Sequence, residues 1–481
     1  MRSGSDEETR QAMTGTYDFD LICIGSGPAG QRAAVQAAKL GKRAAVIEKR
    51  RIVGGVCLDS GTIPSKTFRE AVLSITGHSN GFRRRLEAED AGRPSAERLL
   101  ARVNEVVGRE VEVQEDQLRR NEVEVIWGEA SFKDPHAVTV KNEGVYRTIT
   151  ATNILIAVGT VPAPPPALSG ASDIIITSDG IMELKRLPRT LTVVGAGVIG
   201  IEYASMFAQL DVKVTLVEKR TRPLEFLDGE IVEELLHQMR SRNVIFRFGE
   251  AVERLEVSEG PPRHAVLLLE SGKRVVSELV LFSAGRIGAT DHLNLGAVGL
   301  EVDERRRLKV DEQFRTKVPH IFAAGDVIGY PSLAATSSEQ GRHVALCAFE
   351  RHAAPMTRHY PIGIYAIPEI SMVGTPEHGL TEKRIPYETG VARYKEIARG
   401  QILGDNSGLL KMLFHREDRR LLGVHAIGTG ATELIHIGQA VLGLEGGLQY
   451  FLDTVFNYPT LAECYKVAAF DASNKLSCEM A

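Results

Sequence analysis

Two segments of the chain share one pattern: a short β-branched apolar run, a break into glycines, then small residues at helical spacing. Asp20–Gly30 reads DLICIGSGPAG and Leu191–Gly200 reads LTVVGAGVIG. An apolar run of this length bounded by glycine predicts a buried strand, and the small-residue stretch predicts a helix packed against it. A second strand follows each, RAAVIE ending at Glu48 and VKVTLVE ending at Glu218. Further strands are predicted at Asn153–Gly159 (NILIAVG), Leu279–Gly285 (LVLFSAG) and His320–Asp326 (HIFAAGD), with a helix beginning near Pro331 to Thr336. From about Pro361 the character changes: LLKMLFH (Leu409–His415) and LLGVHAIG (Leu421–Gly428) precede the amphipathic ATELIHIGQAVLGL, an α+β pattern.

The glycines read as G-x-G-x-x-G, at Gly25, Gly27 and Gly30, and again at Gly195, Gly197 and Gly200. In this arrangement the first glycine makes a tight turn, the second admits a pyrophosphate to the backbone, and the third lets helix pack on strand. The phosphates then rest on a helix N-terminus, where unpaired N–H groups and the dipole favour an anion. One such motif is weak evidence, but in both copies an acid follows eighteen residues after the last glycine, at Glu48 and at Glu218. That is the place for a carboxylate that accepts hydrogen bonds from an adenosine ribose. Two dinucleotides in one chain point to a flavin enzyme that exchanges hydride with a nicotinamide. Asp326, just past a buried strand, suits the ribitol hydroxyls of FAD, and the helix after it suits the reduced ring's negative charge.

The predicted class is α/β, with two Rossmann-like dinucleotide-binding domains, one inserted in the other, and a C-terminal α+β interface domain. The expected boundaries are a tail over 1–15, an FAD domain over 16–160 and 286–357, an NAD(P) domain over 161–285, and an interface domain over 358–481. At roughly 150 residues per domain, 481 residues give about three. The Pro-rich VPAPPP (Val161–Pro166) reads as a stiff linker between the first two. Lys plus Arg is 58 against 62 for Asp plus Glu, and the net charge of −4 gives no general attraction to nucleic acid or anionic membrane. The five cysteines, Cys23, Cys57, Cys347, Cys464 and Cys478, form no CxxC pair, which argues for reduced thiols and against a disulfide framework or a metal site. The N-terminus has no apolar signal core, and the most apolar stretch, Leu191–Leu210, is broken by three glycines and Glu202. A cytoplasmic protein without a membrane span is the expectation.

Taken together, GSGPAG, GGVCLDSGTIPSK, GAGVIGIE, HIFAAGD and FNYPTLAE resemble the flavoprotein pyridine nucleotide–disulfide oxidoreductase family. The resemblance runs from about Asp18 to Leu476 in the family's motif order. It implies an FAD domain, an inserted NAD domain, and a dimerisation domain whose last segment reaches the partner's site. Two departures carry information. The family's disulfide members have a second cysteine where this chain has Thr62, and a catalytic histidine where it has Asn457. Threonine forms no disulfide, and asparagine has no pKa near neutrality with which to protonate a thiolate. With FLD (Phe226–Asp228), GDVIGYPSLA and GIYAIPEIS, this combination is similar to the family's soluble, Si-specific pyridine nucleotide transhydrogenases. The implied reaction moves hydride between NADPH and NAD⁺ through FAD in a ping-pong cycle, with a homodimer or larger homo-oligomer as the assembly.

By that resemblance Lys66 lies beside the flavin and pairs with Glu202, and these two are the candidate catalytic residues. The FAD candidates are Gly25, Gly27, Gly30, Glu48, Lys49, Gly55, Cys57, Thr62, Gly159 and Asp326. Those for NAD(H) and NADP(H) are Gly195, Gly197, Gly200, Glu218, Arg220 and Gly285; no metal ligand is expected. Val198 stands where relatives that resemble glutathione reductase carry a tyrosine over the pocket, or it simply packs. Glu218 suits a free ribose 2′-OH and the cations after it a 2′-phosphate, unless Lys219–Arg222 is only a solvated turn. Cys57 reads as a lining residue or as a nucleophile. Arg83–Arg85 and Arg305–Arg307 read as solvated surface, and His436 as an interface histidine. Two rival functions stay open: a diaphorase or oxidase reducing quinones or oxygen, and a non-enzymatic FAD redox sensor.

Overall fold

Leu21, Ile22 and Cys23 are fully buried because the strand Phe19–Ile24, paired on both edges with parallel neighbours, meets one apolar core through Leu21 and Cys23 and another through Ile22. A strand covered on both faces carries no polar alternation, which is why its sequence reads as a continuous apolar run. The computed structural model describes residues 17–76, 95–165, 173–258, 260, 263–351 and 353–478. The tail over 1–15, Arg83–Arg85, Pro166 and the side chain of Cys478 lie outside what it describes. The chain divides into two compact units.

The first unit is Met1–Ser65, Asn104–Pro162 and Arg286–Met356. Its sheet runs Glu124–Trp127, Ala44–Glu48, Phe19–Ile24, Val145–Ile156, Ala137–Asn142, Glu129–Asp134, with Ile321–Ala323 also pairing to Val145–Ile156. The strands that meet Phe19–Ile24 are parallel; Ala137–Asn142 and Glu129–Asp134 add an antiparallel flank. Helix Pro28–Lys39 starts with Pro28, whose missing N–H costs nothing in a first turn. It packs against helix Ala334–Ala348 so closely that a Cβ on Gly341 would fall 2.0 Å from the Ala29 carbonyl oxygen. Val161 and Pro162, the first two residues of the expected linker, belong to the strand Thr160–Pro162, which pairs antiparallel with Arg286–Gly288.

The second unit is Lys66–Val103, Ala163–Gly285 and Thr357–Ala481. It holds a parallel sheet in the order Ile245–Phe248, Lys213–Glu218, Thr190–Val194, Leu279–Phe282, Ile175–Ile176, and a three-stranded antiparallel sheet over 252–277. Helix Val198–Gln209 is buried from Gly200 to Gln209, which explains the long apolar stretch there: it is a helix covered on every side. The unit also contains a five-stranded antiparallel sheet over 362–427 with helices Ala431–Gly443 and Glu463–Cys478 around one apolar core. Among the described residues, no helix is long and apolar enough to cross a membrane and no side-chain cluster could hold a metal ion.

Candidate active site

In the first unit the carboxyl end of the parallel sheet opens into a cleft. Gly25, Gly27, Glu48, Lys49, Gly55, Cys57, Thr62, Gly159 and Asp326 all line it. Gly30 does not, and its geometry says why: a Cβ there would lie 1.9 Å from the Gly25 carbonyl oxygen, so it serves helix packing. Gly25 sits at φ +108°, a backbone conformation that L side chains rarely adopt. Gly27 has open space where a Cβ would be, leaving its backbone bare toward the cleft. Glu48 is held in place by the Ser26 amide (3.1 Å) and hydroxyl (2.5 Å) and by the Arg50 amide (2.7 Å). The Arg50 guanidinium turns away to Asp59, 3.0 Å from Nε to Oδ2.

The opposite wall comes from the loop after Ile321–Ala323 and from helix Ala334–Ala348, whose first residue lines the cleft with Ser337. Burial pushes the Asp326 carboxyl up, against the pull of Arg286 and a hydrogen bond with Thr160. A partly desolvated carboxylate facing a cleft needs donors, and a polyol supplies them. A bare glycine backbone at a helix N-terminus, a fixed acid at the ribose position and a second acid across the cleft fit an extended dinucleotide such as FAD. Cys57, in the turn of helix Val56–Asp59, and Thr62, first residue of helix Thr62–Ile75, share this wall. None of the cysteines whose side chains are described is disulfide-bonded.

A second cradle lies at the carboxyl ends of Thr190–Val194, Lys213–Glu218 and Leu279–Phe282 in the second unit. Gly195 repeats the turn at φ +103°, and a Cβ on Gly200 would lie 1.9 Å from the Gly195 carbonyl oxygen. Gly197 and Gly285 again have open space at the Cβ position. Glu218 accepts from the Ala196 amide (2.7 Å) and the Arg220 amide (3.0 Å). Arg220 also bonds Glu218 with its side chain, at 3.1 and 3.2 Å. Val198 opens the helix after the cradle and is half-buried.

Also in the second unit, the Lys66 ammonium bonds both oxygens of Glu202, at 2.9 and 2.8 Å. Glu202 is nearly inaccessible, 4% exposed by side chain against 25% for Lys66. The sequence reading missed Tyr365: its amide donates to Glu202 at 2.8 Å, and its ring lies 4.9 Å from the Lys66 nitrogen. Its only sequence signal is membership of GIYAIPEIS. Arg69, one turn after Lys66, was missed too; its guanidinium bonds the Ala366 carbonyl at 3.0 Å and meets Glu369 at 3.3 Å.

The segment FNYPTLAE departs from a histidine–carboxylate pair in structure as in sequence. Asn457 is exposed and its side-chain oxygen accepts from the Tyr458 amide. One carboxylate oxygen of Glu463 is buried without a hydrogen-bond partner. Burial pushes the Cys464 thiol up to about 12, with the Glu463 charge adding to it, which keeps it a thiol at neutral pH. His436 is bonded to Gln439 on its own helix. Arg306 and Arg307 pair with Asp291 and Asp303 at the surface of the first unit.

Two glycine cradles on parallel sheets, one opening into a cleft with a lone cysteine and a threonine, define a two-dinucleotide α/β oxidoreductase scaffold. Residues 19–341 match the family described as pyridine nucleotide-disulphide oxidoreductase, and 360–469 match its dimerisation domain. The chain belongs to the pyridine nucleotide-disulphide oxidoreductase family. It is 52% identical over 461 residues to a protein of Mycobacterium bovis named soluble pyridine nucleotide transhydrogenase, covering 95% of this chain and 98% of that one. A protein of the same name from Hahella chejuensis is 44% identical over 467 residues, covering 96% and 99%. Among solved structures, LpdA from Mycobacterium tuberculosis matches with a TM-score of 0.85 at 25% identity, covering 94% of this chain and 99% of that one. The HOCl-induced flavoprotein disulfide reductase RclA from Escherichia coli matches at 0.83 and 27%, with the same coverage.

Proposed function

We propose that the chain is an FAD-dependent transhydrogenase that moves hydride between NADPH and NAD⁺, acting as a cytoplasmic homodimer. The observation that carries this reading is the wall shared by Cys57 and Thr62. In a family that stores electrons in a disulfide, a threonine hydroxyl at the second position leaves no disulfide to reduce. When bound, FAD accepts an electron pair from one nicotinamide and yields it to the next, the chemistry being the cofactor's own.

The chain's residues bind and orient. Gly25 and Gly27 cradle the FAD pyrophosphate, with Gly30 packing beneath; Gly55 and Gly159 keep the backbone close to the cofactor, and Lys49 lies along the wall. Glu48 accepts from its ribose and Asp326 from its ribitol. Gly195, Gly197, Gly200 and Gly285 do the same for either nicotinamide coenzyme, in turn and at one pocket. Glu202 and Tyr365 hold the Lys66 ammonium, and by the family resemblance its charge would favour the reduced cofactor.

The test is an assay of purified protein with NADPH and an NAD⁺ analogue whose reduced form absorbs apart from NADPH. Parallel double-reciprocal lines are expected, because one pocket serves both coenzymes alternately. Reduction of glutathione disulfide or lipoamide at rates rivalling the analogue, abolished by Cys57→Ser, would overturn the reading.

A further inference from the structure

The two cradles hold their acidic residue by the same backbone contacts and differ in two side chains: Ser26 adds its hydroxyl to Glu48 where Ala196 has none to give, and the two arginines turn different ways. In the first, Arg50 gives Glu48 only its amide, because Asp59 takes the guanidinium. In the second, Arg220 gives Glu218 its amide, Nε and Nη2, and the Ala196 amide takes a further place. Four N–H groups thus converge on a carboxylate that has about four lone-pair positions. Burial works to raise that carboxyl, and the bonds from Arg220 bring it below the usual range. A ribose hydroxyl can reach Glu218 only if the guanidinium leaves.

A second carboxylate stands ready to receive it. Glu225 Oε2 lies 4.0 Å from Arg220 Nη1, and both side chains are about half exposed, so the guanidinium can move between the acids without crossing a packed core. The loop that carries Glu225 is anchored: Leu224 and Leu227 are buried, and the Asp228 carboxylate accepts from the Glu230 amide and from the buried Lys411 ammonium. The neighbouring Arg222 faces another acid, Glu233, at 3.4 Å.

We infer that Arg220 competes internally for Glu218 and that Glu225 is its alternative seat, so that this three-residue relay sets coenzyme choice. With NADP(H), the guanidinium engages the 2′-phosphate and neutralises the repulsion from Glu218. With NAD(H), it moves to Glu225 and frees Glu218 for the ribose hydroxyls. Each coenzyme displaces the same ion pair, which keeps the two affinities comparable, as a pocket that must exchange one for the other requires. The inference rests on the shared-pocket reading of the second cradle.

The experiment is titration of the flavin-loaded protein with NADP⁺ and NAD⁺ separately. Arg220→Ala is expected to weaken NADP⁺ by roughly 10- to 100-fold, the loss of a charge-assisted phosphate contact. The same change should tighten NAD⁺ by about three-fold, since the ion pair between half-exposed Arg220 and buried Glu218 no longer has to be displaced. Glu225→Gln should weaken NAD⁺ by about three-fold while NADP⁺ binding holds or tightens. In the Arg220→Ala background the Glu225→Gln effect should vanish, as coupled residues behave in a double-mutant cycle. Weaker NAD⁺ binding in Arg220→Ala, or a Glu225 effect that persists without Arg220, would overturn the relay. A protein that binds both coenzymes yet passes no hydride between them would overturn the proposed reaction and leave the relay standing.

Discussion

Gly25 and Gly195 sit at φ +108° and +103°, and a Cβ on Gly30 or Gly200 would come equally close, 1.9 Å, to the carbonyl oxygen of the first glycine. Within the turn the two cradles are near copies; outside it they part. The first is walled by Asp326, the Cys57–Thr62 segment and the start of a fifteen-residue helix. The second offers Glu218 covered by its own Arg220. The shared part is what any pyrophosphate demands of a strand–helix turn. On the proposed function, the difference would separate a site that keeps its ligand from one that exchanges it: many fixed walls favour retention, and an ion pair that a ligand displaces favours turnover.

The strongest way to break the comparison is to close one cradle at a time. An added methyl at Gly30 or Gly200 must move backbone, a cost of about 3 kcal/mol or more, or about a hundred-fold in affinity. Gly30→Ala should purify with little flavin. Gly200→Ala should keep its flavin, yet neither NADH nor NADPH should reduce it. Flavin absorbance and anaerobic reduction read both outcomes, and a fully loaded Gly30→Ala protein would show that the first glycine turn is not the flavin's anchor.

The second difference is acid sensitivity near the anchored end of the Glu225 loop. His425 is buried beside Asp228, Lys411 and Glu377, and burial lowers it from the ordinary 6.5 to about 4, against the pull of Asp228. Between those values the unfolded chain binds a proton that the folded one refuses, so stability rises with pH across that window and is lost as pH falls through it. Burial works to raise Asp228, but nearby His425 and Lys411 hold it below its usual range, so its contribution is also lost in acid. The His425 part amounts to about 3 kcal/mol at most. Thermal melts from pH 7 to 4 should show a flatter profile for His425→Asn than for the parent, and identical slopes would remove His425 from the account.

Smaller effects sharpen the chemistry. Tyr365→Leu removes the ring beside Lys66 but not the amide on Glu202, a loss of about 1–2 kcal/mol. Turnover should drop about ten-fold, and Tyr365→Phe should restore it, because the ring face is what Lys66 meets. Equal loss in both variants would place the effect in the hydroxyl. Smallest of all, Cys57→Ser should keep most NADPH-to-NAD⁺ activity, and anaerobic titration should consume about two electrons per FAD in parent and variant alike. About four in the parent would reveal a thiol couple.

Much of this fold was legible because its signals are local. Leu409–His415 forms a strand over the predicted residues, and Ala44–Glu48 ends on the predicted acid. The helix expected near Pro331 to Thr336 begins at Ala334. The antiparallel strands over 252–277 and 129–142 were not foreseen, since short strands joined by tight turns show little periodicity of their own. Among site residues, the glycines and their two acids could be read because a turn, a close approach and a strand end are set by a few consecutive residues.

By itself, then, the sequence determined the two cradles, the spacing to Glu48 and Glu218, and the replacement of a second thiol by Thr62. Only the tertiary structure decided which partners the charged groups take. Arg50 and Arg220 occupy the same place two residues after their acids, yet one turns to Asp59 and the other stays on Glu218. Tyr365 reaches Lys66 and Glu202, and Arg69 reaches Glu369, across long stretches of chain. The reason is physical: backbone conformation follows from neighbouring residues, whereas the partner of a buried or half-buried charge follows from which segments pack together, and no periodicity along the chain records that.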